Sequence, residues 1–536
     1  MMTPASGTHA IGTPIAKPVS VVVPDEARRD RLVPVVLTAL VLVVAVLTVT
    51  PWPVGAYQDD AIYTILAKAL AEGDGYRMIN LPGSPHATHY PPGYPFFLSL
   101  LWRISPDFPD NLVLFKFANA AWLAAAALGS WVFARRRLQW SSTPSAAIAA
   151  AGSLTIIVLL VTGVVLSEPM FMALLFPALL LSERAADEGS VRVAIAAGIA
   201  CAAVALVRTI GAVIIPAALL VLLSRRQFRA MFAMAVTATV CLIPWQLWVS
   251  TFQHEVPPVL AGKYGAYGPW VSQGYEQGGL TFARDIVVRN LGAMLEFLGF
   301  IFMPVTTSWA RALAFAIVCM LAVVGLVVLM KRARVTALFL LAYLAVVLLW
   351  PFDPTRFLIA VWPVVTLAGA AAIVAAWNWR PTVTSFRVLR VAALGSSALI
   401  VGGFFSLNTI GYSRQWWASI QRDTGRRAKP VVEWVATQTN PSDVLTVDDD
   451  LLVFLYTGRQ GTPTSSFTPQ ERLRPTTDGE NIAAVRAMIE QYSPRYYITT
   501  SEPGRRTADS LTYGASPLLR RYRLIPNAFI YERITP

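Results

Sequence analysis

Long apolar runs, broken by short segments rich in arginine, lysine or proline, set the plan of this chain. Roughly 20 apolar residues in a helix cross the hydrocarbon core of a bilayer, so runs of this kind predict membrane spans. They fall at residues 33–54, 112–134, 145–166, 168–182, 193–208, 210–224, 230–250, 310–330, 335–350, 357–378 and 389–408. The first, VPVVLTALVLVVAVLTVTPWPV from Val33, has no ionisable residue. It lies too far from the start and runs too long for a cleaved signal peptide, so it reads as a retained span. Residues 291–308 are also apolar, but a full crossing there would put the next basic cluster, KRAR from Lys331, on the opposite side. That run is therefore expected to be a helix lying at the interface or partly inserted, a position that suits Glu296 and Arg289.

Composition supports this pattern. Of 536 residues 55% are hydrophobic and only 14% charged, where a soluble domain is nearer a quarter charged. The net charge of +13 does not imply a nucleic-acid partner, because the arginines are not gathered on one soluble patch and instead punctuate the ends of apolar runs. That distribution follows the positive-inside rule and reports orientation. Placing Arg135 to Arg137, Arg184, Arg192, RRQFR from Arg225, KRAR, Arg380, Arg387 and Arg390 on the cytoplasmic side pairs the spans as out-and-back hairpins. The expected fold class is a polytopic α-helical membrane protein of about eleven transmembrane helices, N-terminus inside and C-terminus outside. Cys201, Cys241 and Cys319 all lie within apolar runs, so no disulfide framework or cysteine zinc site is expected.

Three regions follow. Residues 1–32, rich in Pro, Thr and Ala and ending in DEARRDR, read as a disordered cytoplasmic tail. Residues 33–410 form the membrane region, with outer loops at 55–111 and 251–309. Residues 411–536 read as a small extracytoplasmic α/β domain, because from about position 430 helical periods alternate with short β-branched strands. There is no tandem repeat and no glycine-rich phosphate loop.

On this topology the polar residues that are not cytoplasmic arginines or lysines collect on the outer face. Among them are YQDDAIY, HATHYPPGYPFF, LSEP, VRTIG and PFDPTRF. Ionisable groups beside a membrane are costly and mark functional candidates. Asp59 and Asp60 open a segment of helical periodicity and are read either as a helix cap or as a general base whose basicity is raised by desolvation. Three prolines stiffen HYPPGYPFFLSLLW, which carries His89 and Tyr90, as an interfacial anchor and cavity wall. Glu168 either caps its helix or orients a site residue. His86 and His89, with His254 and the aspartates, are candidate ligands for a divalent metal, although paired histidines in a loop are usually just solvated. The run Asp448 to Asp450 follows a strand and reads as a turn or cap.

The ordered set of YxDDAxY after a first span, YPPGYPxxLSL, SEPMF, RTIG, PTRFLIAVWP and a tail domain with LYTGR resembles membrane glycosyltransferases of the GT-C type, in particular the protein O-mannosyltransferase and lipid A aminoarabinose transferase families. The resemblance covers the membrane region and matches the tail loosely. It implies transfer of a sugar, with inversion, from a polyprenyl-phosphate carrier to a lipid, glycan or protein hydroxyl at the outer face of a bacterial inner membrane. It also implies that Asp59 is the catalytic base; the second acid of the pair is often Glu in such families, and Asp60 here has a shorter reach. Tyr57, Tyr63, His89, Tyr90 and Glu168 then support the cavity. Arg208 and Arg356 are the best phosphate candidates, since a guanidinium forks onto phosphate oxygens, with Lys263 in AGKYGAYGPW as a third, on a loop that could act as a lid. The bland reading of the arginines is snorkelling or pairing with Asp353 or Glu168. No metal or other cofactor is expected to be required.

Two other functions fit a polytopic membrane protein. A transporter or lipid flippase would carry its polar residues at mid-membrane in two related halves, and no internal duplication is visible. A polymerase or ligase of lipid-linked glycans would keep the cavity but set its chemistry on outer loops between later spans.

Overall fold

The computed structural model describes residues 24–514 and 516–534. A helix stands at each of the eleven segments predicted from the hydrophobic runs. Six helices of the described residues are long and apolar enough to cross a membrane: Asp30–Leu47, Leu112–Leu138, Glu168–Glu188, Phe228–Phe252, Ser308–Arg332 and Thr384–Ser413. A seventh is reached by joining Ser142–Ser153 to Ile156–Thr162 across a bend of 61°. Val191–Val207, Arg334–Leu349 and Trp362–Asn378 are apolar but shorter. The chain is thus a helical membrane protein, and its side chains bear this out, because large residues such as Leu47, Phe232, Leu247, Val323 and Val391 face outward on the helices where lipid is their natural solvent.

Three expectations are corrected. The helix that contains the first span begins at Pro24, so residues 24–32 are not disordered; a proline at the first position and two acids after it favour a helix start there. Residues 1–23 lie outside the described residues. The expected outer loop 251–309 is helical over most of its length. After short turns at Pro258–Leu260 and Ala261–Tyr264 it becomes the 36-residue helix Tyr267–Phe302, broken in direction at Gly279. Residues 291–302 are the end of that helix rather than a separate one, and they pack against Ser308–Arg332 and Thr384–Ser413. Finally, the expected span 33–54 stops at Leu47, and the chain runs without helix to Asp59.

Charged side chains separate the two ends of the bundle. At one end Arg135 pairs with Asp30 at 2.6 Å, and Arg137 and Arg225 pair with Asp187 at 2.5 and 2.9 Å. Arg332 donates to the Leu138 carbonyl there. Asp59, Glu168, Arg208 and Arg356 meet at the opposite end of these helices. The basic clusters and the acidic pair therefore lie on opposite faces, as the alternation of runs and punctuation required.

Beyond Thr384–Ser413 the helix Ser419–Gln438 leads into a five-stranded sheet with the order β2-β1-β3-β5-β4. The strands are β1 Leu445–Val447, β2 Gly461–Thr462, β3 Tyr496–Thr499, β4 Leu519–Ile525 and β5 Ala528–Arg533. β1 runs parallel to β2 and β3, and β4 and β5 form an antiparallel hairpin at the edge. Alternate residues serve two faces, as the period of a strand requires. Tyr496 and Ile498 pack with Val431, Trp434 and Val435, while Tyr497 between them joins the main core on the other side. The helix Asp450–Thr457 carries this unit onto the segment after the first span, with Lys68 of Asp59–Glu72 lying 5.8 Å from the Phe454 ring centre.

Candidate active site

The segment between Leu47 and Asp59 is held by a lysine. Lys116, fully buried near the start of Leu112–Phe133, donates to the carbonyls of Thr50 and Trp52 at 2.8 Å each and to Gln421 Oε1 at 3.3 Å. Gly55 then turns the chain at a φ of +108°, with Leu452 so near that an added Cβ would come within 2.8 Å of it. Asp60 accepts the backbone N–H groups of Gly55, Ala56 and Tyr57 at 2.8, 3.2 and 3.1 Å. These contacts fix where the helix Asp59–Glu72 starts.

Two predictions arise here. Lys116→Met leaves the Thr50 and Trp52 carbonyls without their donor, while Gln421 Oε1 keeps the Thr50 hydroxyl, at a cost of about 1–3 kcal/mol for each buried group left unsatisfied, and is expected to lower the midpoint of thermal unfolding in detergent. Gly55→Ala adds both a steric clash and a left-handed residue, a strain of about 1–3 kcal/mol for the backbone alone. It is expected to reduce stability at least as much, which the same melting measurement checks.

The two adjacent acids have different fates because neighbours on a helix point about 100° apart. Asp60 is fully buried against the loop it organises, where its carboxylate accepts from three N–H groups that precede the helix. Asp59 faces a cavity of about 420 Å³. Four residues on from it, and so on the same helix face, Tyr63 meets Ser167 Oγ at 3.1 Å.

Asp59 is the hub of a charge network. Tyr90 donates to its Oδ1 at 2.7 Å, and Arg356 reaches its Oδ2 at 2.9 Å. The same guanidinium donates to Glu168 Oε1 at 2.8 Å, and Arg208 lies 3.0 Å from that oxygen. Arg208 also donates to Ser167 Oγ at 3.1 Å. Glu168 is wholly buried, and its second oxygen has no partner among the described residues. Arg356 lies 5.6 Å from the centre of the Tyr57 ring and Arg208 lies 5.8 Å from that of Phe357, both within cation–π range. Two carboxylates and two guanidiniums make the cluster neutral overall, a condition that burial favours.

The expectation of an Asp59 made more basic by desolvation is corrected. Burial does push its carboxyl up, but the Arg356 guanidinium, the Tyr90 hydroxyl and Arg208 outweigh it and hold it below the usual carboxylate range. Asp59 is thus ionised, and its charge is already engaged. For Asp60, burial prevails over its three backbone donors and the carboxyl is raised. His89 is pushed down to about 4 by burial. It is neutral, and its Nδ1 carries the proton, since it lies 2.6 Å from the Gly265 carbonyl, which only accepts.

Of the residues singled out in the sequence, Asp59, Tyr63, His89, Tyr90, Arg208 and Arg356 line this cavity, and Tyr57 and Glu168 stand behind it against the guanidiniums. Lys263 does not. Burial lowers its ammonium against the opposing pull of Asp450, Asp448, Glu471 and Asp449, and its nearest hydrogen-bond partner is Ser465 at 3.5 Å. Asp448 itself is surrounded by donors, among them the Thr500 and Ser501 N–H groups at 2.7 and 3.0 Å, which marks a turn-forming carboxylate. The two loop histidines also part company, because His86 turns to Glu255 at 2.8 Å while His89 faces the cavity. Among the described residues no three His, Cys, Asp or Glu side chains gather as a metal site. The cavity further includes Tyr267, Trp350, Phe352, Asp353 and Thr355. Only the density of aromatic residues around AGKYGAYGPW and WPFDPTRF pointed to this wall in the sequence.

The cavity has two kinds of lining. Val207, Ile210, Val213, Val346 and Phe357 come from the apolar helices, whereas His89, Tyr90, Tyr267, Phe352 and Asp353 come from the segments between them. Asp59, Arg208 and Arg356 stand where the two meet. This arrangement is shared by a known architecture. ArnT from Cupriavidus metallidurans, in a crystal structure bound to undecaprenyl phosphate, superposes with a TM-score of 0.55 at 13% identity over 93% of this chain and 98% of its own. The chain has the fold of GT-C type glycosyltransferases. The apo crystal structure of that ArnT gives a TM-score of 0.51 at 12% identity, again over 93% of this chain. No protein-family model matches the sequence, and no curated protein matches it. The GT-C likeness is therefore one of backbone arrangement.

Proposed function

We propose that this protein is a glycosyltransferase that moves a sugar from a polyprenyl-phosphate carrier to an acceptor hydroxyl, on the extracytoplasmic side of a cell membrane whose cytoplasmic face meets its basic clusters. The observation that carries the reading is the ion pair of Asp59 and Arg356 at 2.9 Å, at the junction of a lipid-like wall and a polar wall in a GT-C fold. A phosphate tethered to a long hydrocarbon and a hydroxyl arriving from water meet at such a junction.

In the proposed reaction the carrier's phosphate takes donors of Arg356 and Arg208, which replace its hydration in a site of low dielectric. Arg356 has a finite set of N–H groups, and those given to phosphate are withdrawn from Asp59. The carboxylate thus loses the partner that most depresses its basicity at the moment the donor is in place. The acceptor oxygen then attacks the anomeric carbon, its proton passes to Asp59, and the bond from that carbon to the phosphate oxygen breaks with its electron pair leaving on the phosphate. A single displacement inverts the anomeric centre. Tyr90 keeps Asp59 aimed, and Glu168 keeps both guanidiniums charged and oriented. Asp60 holds the start of the catalytic helix, and Lys263 has no part in phosphate binding.

The test is direct. Full-length protein in nanodiscs is supplied with undecaprenyl-phosphoryl arabinose or mannose and an envelope extract as acceptor, and released undecaprenyl phosphate is measured. Release that depends on acceptor and on an intact Asp59 supports the reading. Movement of the intact glycolipid across the bilayer without release would make the protein a flippase instead.

A further inference from the structure

Resting on the transferase reading, we propose that the aromatic end of the cavity is a saccharide subsite in which a sugar ring lies on Phe352, Trp350 and Tyr267 while its hydroxyls bond to Asp353, which Arg472 holds in place. Trp350 and Phe352 present near-parallel rings, 19° apart in plane with centres 6.2 Å apart, and Tyr267 stands edge-on to Trp350 at 5.5 Å. The C–H face of a sugar is slightly positive and the face of an aromatic ring negative, so the two attract while both shed water. A polyprenyl tail has no use for the charges at this rim and finds its match at the valine and isoleucine end.

The wall is built in advance of any ligand. Asn290 Nδ2 donates to the Val347, Leu348 and Trp350 carbonyls at 3.1, 3.2 and 2.8 Å, fixing the end of Arg334–Leu349 from which the aromatic segment leaves. Pro351 and Pro354 stiffen that segment. Phe352 is backed by Trp270 at 4.9 Å and by Phe467 of the C-terminal region at 5.5 Å. Asp353 is 54% exposed, and Arg472 reaches it at 3.3 Å while also donating to Asn290 Oδ1 at 2.8 Å. The Arg472 Nη2 group is buried with no acceptor among the described residues. Arg472 thus holds Asp353 from behind, and the exposed carboxylate is left to accept from the two hydroxyls of a vicinal diol.

A ring at this place belongs either to the donor's sugar or to a glycan acceptor, and one experiment separates them. Saturation-transfer NMR is recorded on full-length protein in nanodiscs with methyl arabinofuranoside, methyl mannopyranoside and methyl galactofuranoside. At least one glycoside is expected to bind through one C–H face. Phe352→Leu, which keeps the apolar volume against Trp270 and Phe467, is expected to weaken it about five- to tenfold, the size of an aromatic contact. Displacement of the glycoside by undecaprenyl-phosphoryl arabinose or mannose assigns the subsite to the donor, and retention assigns it to the acceptor. Absence of binding by all three to the native protein, or wild-type affinity in Phe352→Leu, overturns the proposal. In that event, transfer that is lost in Asp59→Asn but intact in Phe352→Leu leaves the transferase reading standing.

Discussion

Asp59→Asn is expected to abolish sugar transfer, by about 10²- to 10⁴-fold as for removal of a general base, in a protein that inserts and folds normally. Asparagine keeps an oxygen for the Tyr90 hydroxyl, and Arg356 keeps its hydrogen bonds to Glu168, so the site keeps its shape while gaining an uncompensated positive charge. The same substitution carries a second, opposite expectation. Asp59 competes with phosphate for Arg356, and removing its charge is expected to tighten binding of undecaprenyl phosphate rather than weaken it. Quantitative native mass spectrometry of the lipid-bound fraction, measured beside transfer, checks both. Transfer at the native rate by Asp59→Asn would remove the proposed base, and weakened lipid binding would remove the competition.

The second large effect is expected from Arg356. Deleting its side chain leaves Glu168 with Arg208 alone and Asp59 with no ionic partner, and breaking a buried pair in this way costs about 3–5 kcal/mol. Arg356→Lys is therefore the sharper probe, because it retains the charge but cannot span both carboxylates as the forked guanidinium does. It is expected to fold, to lose transfer by about a hundredfold or more as when a preorganised donor is removed, and to raise KM for the carrier-linked sugar. The pH profile supplies a sign test. Arg356 is the largest influence holding the Asp59 carboxyl down, and Asp59 acts only when ionised. Loosening the pair raises its pKa, so the acid limb of the rate profile moves to higher pH. In the native protein the depressed carboxyl contributes stability that is present above its unfolded value and lost as pH falls through the folded one. Arg356→Lys reduces that contribution, so the acid limb of the melting curve is expected to flatten while that of the rate profile moves up in pH.

Both expectations depend on groups that lie far apart in the chain. Asp59, Glu168, Arg208 and Arg356 were each visible in the sequence because an ionisable residue at the end of an apolar run is conspicuous. Their common sidedness followed from the arginine clusters that punctuate the opposite ends. Which groups touch was not visible. Arg356 had Asp353 and Glu168 as its local candidates, yet it bonds to Glu168 and Asp59, and Asp353 turns to Arg472 of the C-terminal region. Lys263 looked like a phosphate ligand from its loop composition, but that segment coils into a helix under the C-terminal region, which sets the lysine among Asp448, Asp449, Asp450 and Glu471. The resemblance singled out Asp59 over Asp60, and the helix start supplies a physical difference between them, placing Asp60 against backbone donors and Asp59 in the cavity.

The sequence by itself determined the solvent, the positions of the apolar helices and the separation of charge between the two faces, because hydropathy and punctuation act locally and along one dimension; the less apolar helix Tyr267–Phe302 escaped it. It also marked where the α/β region begins, since alternating periods betray alternating elements. The tertiary structure alone decided the pairing of guanidiniums with carboxylates, the direction in which Asp59 is shifted and the aromatic wall assembled from positions 267, 350 and 352. Each of these depends on distances of a few ångströms between remote segments. Electrostatic and stacking energies change over that scale, and spacing along the chain does not encode it.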